Sequence, residues 1–214
     1  SIAVIGAKAD VGVWSGAGSS NVVPEGSLKA PAKGPIPGMP QVYHLSSPLR
    51  SIAAIASAAT VVFHSGDDVA SAAALAAKSD IVILFAARWD SEGGDAEDLS
   101  LPNGQDALIE AVAAANAKTI VVLETGGPVL TPWLPKVAAL LQAWYPGQRG
   151  GEAIARILFG RAEPTGRLSI SFPKSVQDLP RPDIPGYADP KTRQGLTRFG
   201  PAHCVATRKR ARIA

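Results

Sequence analysis

An α/β fold with a mainly parallel central sheet is what this 214-residue sequence predicts, and two features carry the prediction. Six short runs rich in Val, Ile, Leu or aromatic residues recur along the chain, most without polar alternation, which is the pattern of strands covered on both faces. Helix-like segments lie between them, and strands alternating with helices stack as βα units around a parallel sheet.

The elements follow in order. IAVI (2–5) is the first run, and the polar, Gly-rich ADVGVWSGAGSSN comes after it. From Val23 to Pro48, Pro and Gly recur without periodicity, so a long surface loop or linker within the first crossover is expected. TVVF (60–63) is the second run, and DVASAAALAAKS (68–79) is an Ala-rich helix. IVILFA (81–86) is the third run. GQDALIEAVAAANA (104–117) sets Leu108, Ile109, Val112 and Ala115 on one stripe, with Asn103 available as N-cap. TIVVL (119–123) and ALLQAW (139–144) are the fourth and fifth runs. RGGEAIARILFG (149–160) places Ile154, Ile157 and Leu158 on one face, with Gly160 as a stop, and RLSISF (167–172) is the sixth run. There is no internal repeat.

Composition excludes several classes. Hydrophobic residues make up 46% and charged residues 18%, too apolar a balance for a disordered chain. No apolar run approaches the roughly 20 residues of a membrane span, so no membrane association is expected. SIAVIGAKAD lacks the basic region and long apolar core of a secretory leader. It also starts without Met, as at a cleavage boundary. One cysteine, Cys204, excludes an internal disulfide framework and a cysteine-based zinc cluster. From Lys191 onward the tail carries 7 basic residues and no acid. Taking those from the 21 basic residues leaves 14 against 18 acids, so residues 1–190 are net negative. RKRAR (208–212) reads as a solvated tail, and no nucleic-acid binding is expected.

In open α/β sheets, ligands sit beyond the carboxyl ends of the strands. Three polar, Gly-rich segments fall there: ADVGVWSGAGSSN, RWDSEGGDAED and ETGGP. SGAGSSN does not fit a dinucleotide fingerprint, because Asn21 stands in place of the third glycine and about ten residues separate the strand from Gly16. It offers backbone N–H groups and serine hydroxyls, Ser19 and Ser20 among them, to a polar ligand, or is a plain loop. No GxSxG elbow occurs, and His44, His64 and His203 are the only candidate bases for serine chemistry. These histidines lack metal-ligand spacing, and Asp90, Asp95 and Asp98 lack that of an EF-hand loop, so neither metal nor cofactor is expected.

Carboxylate chemistry is what survives. Asp90, Glu92, Asp95, Glu97 and Asp98 crowd into nine positions after the third strand. A carboxyl at the rim of an apolar strand end has its pKa raised by partial desolvation and by neighbouring negative charge, and a protonated carboxyl donates to a leaving oxygen. The alternative is that these acids solvate a loop or cap the next helix.

Four segments in order, IAVIGAKADVGVWSGAGSS, WDSEGGDAEDLSLP, TIVVLETGGPVLTPWL and LLQAWYPGQRGGEAIARILFGRAEPTGRLSISFP, resemble the second domain of glycoside hydrolase family 3, the β-glucosidase and β-xylosidase family. The resemblance covers roughly residues 1–185, and its last block is the most specific. It implies a three-layer (α/β)6 sandwich over residues 1–190, with 191–214 as a basic tail that does not align. It implies terminal β-glucoside or β-xyloside sugars as substrates. The family's acid/base glutamate falls on Glu92, with Asp95 matching the aspartate of the same motif as a positioning residue. Ala96 stands where the motif has Arg. Trp89 supports that loop, stacks on a sugar face, or packs in the core. The family's nucleophilic aspartate lies in a preceding (β/α)8 barrel, which this sequence does not contain. A surface left open near Trp14 and Trp133 is then expected to join copies of the chain or to meet a separate barrel domain.

Overall fold

The computed structural model describes residues 1–19, 21–30, 40–92 and 98–180. In chain order the first elements are β1 (Ile2–Ile5), β2 (Val13–Ser15), β3 (Leu28–Ala30), β4 (Gln41–His44), α1 (Pro48–Ile55) and β5 (Val61–His64). Then come α2 (Val69–Ala77), β6 (Ile81–Arg88), α3 (Gln105–Ala115), β7 (Thr119–Thr125), β8 (Ala139–Gln142) and α4 (Gly150–Leu158). Two compact units divide the chain, Ser1–Phe172 and Pro173–Ala214. The described part of the second is a short 3-10 turn, Val176–Asp178, in which Ser175 and Asp178 cap each other reciprocally.

Five strands of the first unit form a parallel sheet in the order β5-β1-β6-β7-β8. Its strands lack polar alternation because each face has its own core. Ala3, Ile5, Val82, Leu84, Val121 and Leu123 face α2 and α3. Ile2, Val4, Ile83, Phe85 and Val122 face α1 and α4. The layers are therefore helix, sheet, helix, and the α/β sandwich with a mainly parallel sheet stands. Chain order reverses between β1 and β6, so the segments that follow them open a crevice at the carboxyl end of the sheet.

Several expectations need correction. The Pro-rich stretch is not plain loop: β3 and β4 lie in it and pair with β2 as a three-stranded antiparallel sheet, and α1 follows at once. Strands of three or four residues are too short to show a period. The α1 start is clear in retrospect, with Ser47 Oγ accepting from Arg50 N at 3.1 Å and Pro48 in the first turn. Asn103 does not cap α3, because Gly104 occupies that position and Asn103 has a φ of 60°. The sixth run, RLSISF, is not a strand. A strand needs a neighbour for its backbone groups, and here Leu168 and Ile170 stand exposed while Phe172 alone turns in against the core. Trp133 is fully buried and donates from Nε1 to Asp106 at 2.7 Å, so it offers nothing to a partner surface. The exposed large apolar residues include Val22, Val23, Leu28 and Leu45 instead.

Among the described residues no helix is long and apolar enough to cross a membrane. Ser20, Asp95 and the boundary expected at 190/191 lie outside the described residues.

Candidate active site

A cavity of about 420 Å³ opens at the crevice. Its walls come from the segment after β1, the end of β4, the segment after β6, Gly126 after β7, and Tyr145 after β8. The first and third of these are joined by backbone. Ala17 and Ser91 form a parallel bridge, Ala17 N donates to Asp90 O at 3.2 Å, and Glu92 N donates to Ala17 O at 3.1 Å.

Glu92 sits on the rim with its side chain fixed. Ser19 donates to Glu92 Oε2 from its backbone N at 2.6 Å and from Oγ at 2.5 Å. Oε1 has no partner among the described residues. Gly18, with φ of 120°, allows this approach: a Cβ there would lie 2.4 Å from the Cβ of Glu92. The Ser19 bonds hold the Glu92 carboxyl below its ordinary value, the hydroxyl contributing most and the backbone N–H next. That reverses the expectation of a raised pKa, because the side chain is solvated and its hydrogen bonds favour the charged form.

Asp90 is a structural knot. Its carboxylate accepts from Arg88 Nε at 2.9 Å and from the backbone N–H groups of Gly126 and Gly127 at 2.8 and 3.2 Å. Its own N–H donates to the Tyr145 hydroxyl at 2.6 Å, and that hydroxyl donates to Arg88 O at 3.0 Å. Burial, and then the nearby Asp90 charge, push the Tyr145 phenol well above its usual range, so it stays neutral. The ring lies against Gly16 and Gly126, where a side chain would collide with it. Trp144, just before Tyr145, takes a left-handed φ of 55°. Its ring meets Phe172 edge-on at 6.1 Å.

The structure thus brings Glu92 and Ser19 together at the cavity. Trp89 is buried and does not line it, so its ring has no face open to a sugar there. Asp98 lies apart, its carboxylate accepting from Ser100 N at 2.7 Å. His64 caps a turn by accepting from Gly66 N. Sequence reasoning missed Tyr145, Asn21 and His44. Tyr145 lay inside the quoted QAWYPGQ block, and His44 in a stretch read as loop. Among the described residues no cluster of His, Cys, Asp and Glu fits a metal ion.

Comparisons with known proteins agree with this architecture. The model of the Glycosyl hydrolase family 3 C-terminal domain matches residues 1–204. A β-glucosidase of Rhizobium radiobacter is 54% identical over 113 residues, 51% of this chain and 14% of the relative. β-Glucosidase B of Emericella nidulans is 47% identical over 135 residues, 60% of this chain and 16% of the relative. The chain thus matches about one-seventh of the length of these relatives. Among solved structures, the β-D-glucoside glucohydrolase of Trichoderma reesei aligns over 86% of this chain and 28% of its own, with a TM-score of 0.70 and 26% identity. The family 3 β-glucosidase of Bifidobacterium adolescentis aligns over 84% and 25%, with a TM-score of 0.66 and 32% identity. By its strand order, its sequence and the span of the match, this chain belongs to the glycosyl hydrolase family 3 C-terminal domain.

Proposed function

We propose that this domain contributes the general acid/base to hydrolysis of terminal β-linked glucosyl or xylosyl residues, and that Glu92 is that group. The observation that carries the reading is the carboxylate of Glu92, fixed on the cavity rim by Ser19 with its other oxygen open. In a two-step retaining mechanism this group donates a proton to the leaving oxygen, then takes one from the attacking water. Its low pKa in the open cavity suits the second step. A bound sugar that displaces water disfavours the charged form and shifts the group toward the first. Asp95 and Ser20 are proposed to position the sugar, and Trp89 to hold the loop from below. The nucleophile is proposed to come from a (β/α)8 barrel.

A second reading rests on one observation. Asp90 and Glu92 are the acids lining the cavity among the described residues, and Asp90 is consumed by Arg88, Gly126 and Gly127. With no second free carboxylate among the described residues, this reading has the domain bind sugar without turning it over.

The test is hydrolysis of aryl β-glucoside and β-xyloside, with good and poor leaving groups, by the chain mixed with a family 3 (β/α)8 barrel domain, beside the same mixture made with the Glu92→Gln variant. The proposed role predicts a loss of about 10²–10⁴-fold, largest for poor leaving groups. No turnover, or turnover indifferent to Glu92, leaves the binding reading in its place.

A further inference from the structure

The cavity has a wall that the acid/base role does not use. The small antiparallel sheet carries His44 at the end of β4, and register puts Leu28 opposite Tyr43, hence Ser27 opposite His44. Ser27 Oγ lies 3.1 Å from His44 Nδ1. The imidazole is only 7% exposed, yet it lines the cavity, and its other nitrogen has no partner among the described residues. Nearby, Asn21 spends its side-chain oxygen on Ser15 Oγ at 3.1 Å, which leaves its amide N–H₂ open. With Glu92 Oε1, three unengaged polar groups belong to residues that line this one cavity. None is cationic, and no Lys or Arg lines the cavity among the described residues.

We propose that His44 is a ligand-binding residue of this cavity, presenting its free ring nitrogen to a hydroxyl of a neutral, non-phosphorylated sugar. The proposal rests on the reading of the cavity as a sugar site. It adds a residue and a selection rule. Ser27 fixes the ring by donating to Nδ1 or accepting from it, and the free nitrogen is then a donor or an acceptor. A hydroxyl satisfies both. Burial lowers the His44 pKa, so the ring remains neutral where sugars are bound. A phosphorylated sugar meets the open carboxylate of Glu92, the charge of Asp90 being paired with Arg88, and no Lys or Arg among the described residues lines the cavity to receive the phosphate.

The experiment is a titration of the ¹⁵N-labelled chain with glucose and, separately, with glucose 6-phosphate, following the His44 ring nitrogens. Glucose is expected to shift the non-Ser27 nitrogen saturably, with glucose 6-phosphate at least about tenfold weaker. His44→Phe is expected to weaken glucose about tenfold, roughly one hydrogen bond, while His44→Gln keeps most of the affinity. No shift up to about 100 mM glucose, where a millimolar site is filled, overturns the inference. Equal binding of glucose 6-phosphate overturns its selection rule. Failure of the acid/base reading looks different: a His44 shift with turnover indifferent to Glu92 leaves this inference standing. Glu92-dependent turnover without a His44 shift does the reverse.

Discussion

Glu124 shows how one buried side chain governs a whole pH range. It is the penultimate residue of β7, on the face shared with Phe85 and Val122, is 2% exposed, and has an Oε1 without a partner among the described residues. Burial pushes its carboxyl from an ordinary 4.5 up to about 8. Between those values the folded chain keeps a proton that the unfolded chain has released. The contribution of Glu124 to stability is therefore fully present below pH 4.5 and declines as pH rises toward 8, with a slope approaching about 1.4 kcal/mol per unit. Glu124→Gln is expected to flatten that slope in urea titrations at several pH values; an unchanged slope would remove Glu124 as its origin. Nothing in TIVVLETGG announced this, because a strand end and a buried strand look alike in sequence. Glu92, four residues into its loop, was legible through its motif, but its lowered pKa was not. Ser19 lies 73 residues away, and only the bridge between Ala17 and Ser91 brings it close.

Elements were legible where they were long. The stripe of α3 and the apolar runs of β6 and β7 are seven to eleven residues each, enough to show what they bury. β2, β3 and β4 are three or four residues each, and pairing rather than pattern defines them. RLSISF has strand-like composition and no ladder partner among the described residues, so composition misled. The segment after β6 is held by Asp90 more than by its own sequence. Asp90→Ala removes the acceptor of two backbone N–H groups and the partner of Arg88. It is expected to cost about 2–3 kcal/mol and to speed amide exchange at Gly126 and Gly127. Unchanged exchange there would mean that the turn holds itself.

At the scale of the molecule, two cores share one sheet. Ile109 belongs to one and Ile154 to the other, both at most 2% exposed. Because the same strands supply both, each truncation to Ala is expected to cost about 2–5 kcal/mol and to leave a single transition. Unfolding followed by far-ultraviolet circular dichroism and by tryptophan fluorescence tests this; two separate midpoints would show that the faces come apart independently. The same interdependence reaches the cavity. Its rim joins Ser19 to Glu92, and its back joins Asp90 to Tyr145, 55 residues further on. Contacts of that span repay their loop-closure entropy late in folding. On the ribosome, then, the cavity has no existence until Tyr145 and the residues behind it have emerged, and a nascent chain halted before that point carries every acid of the loop and no site.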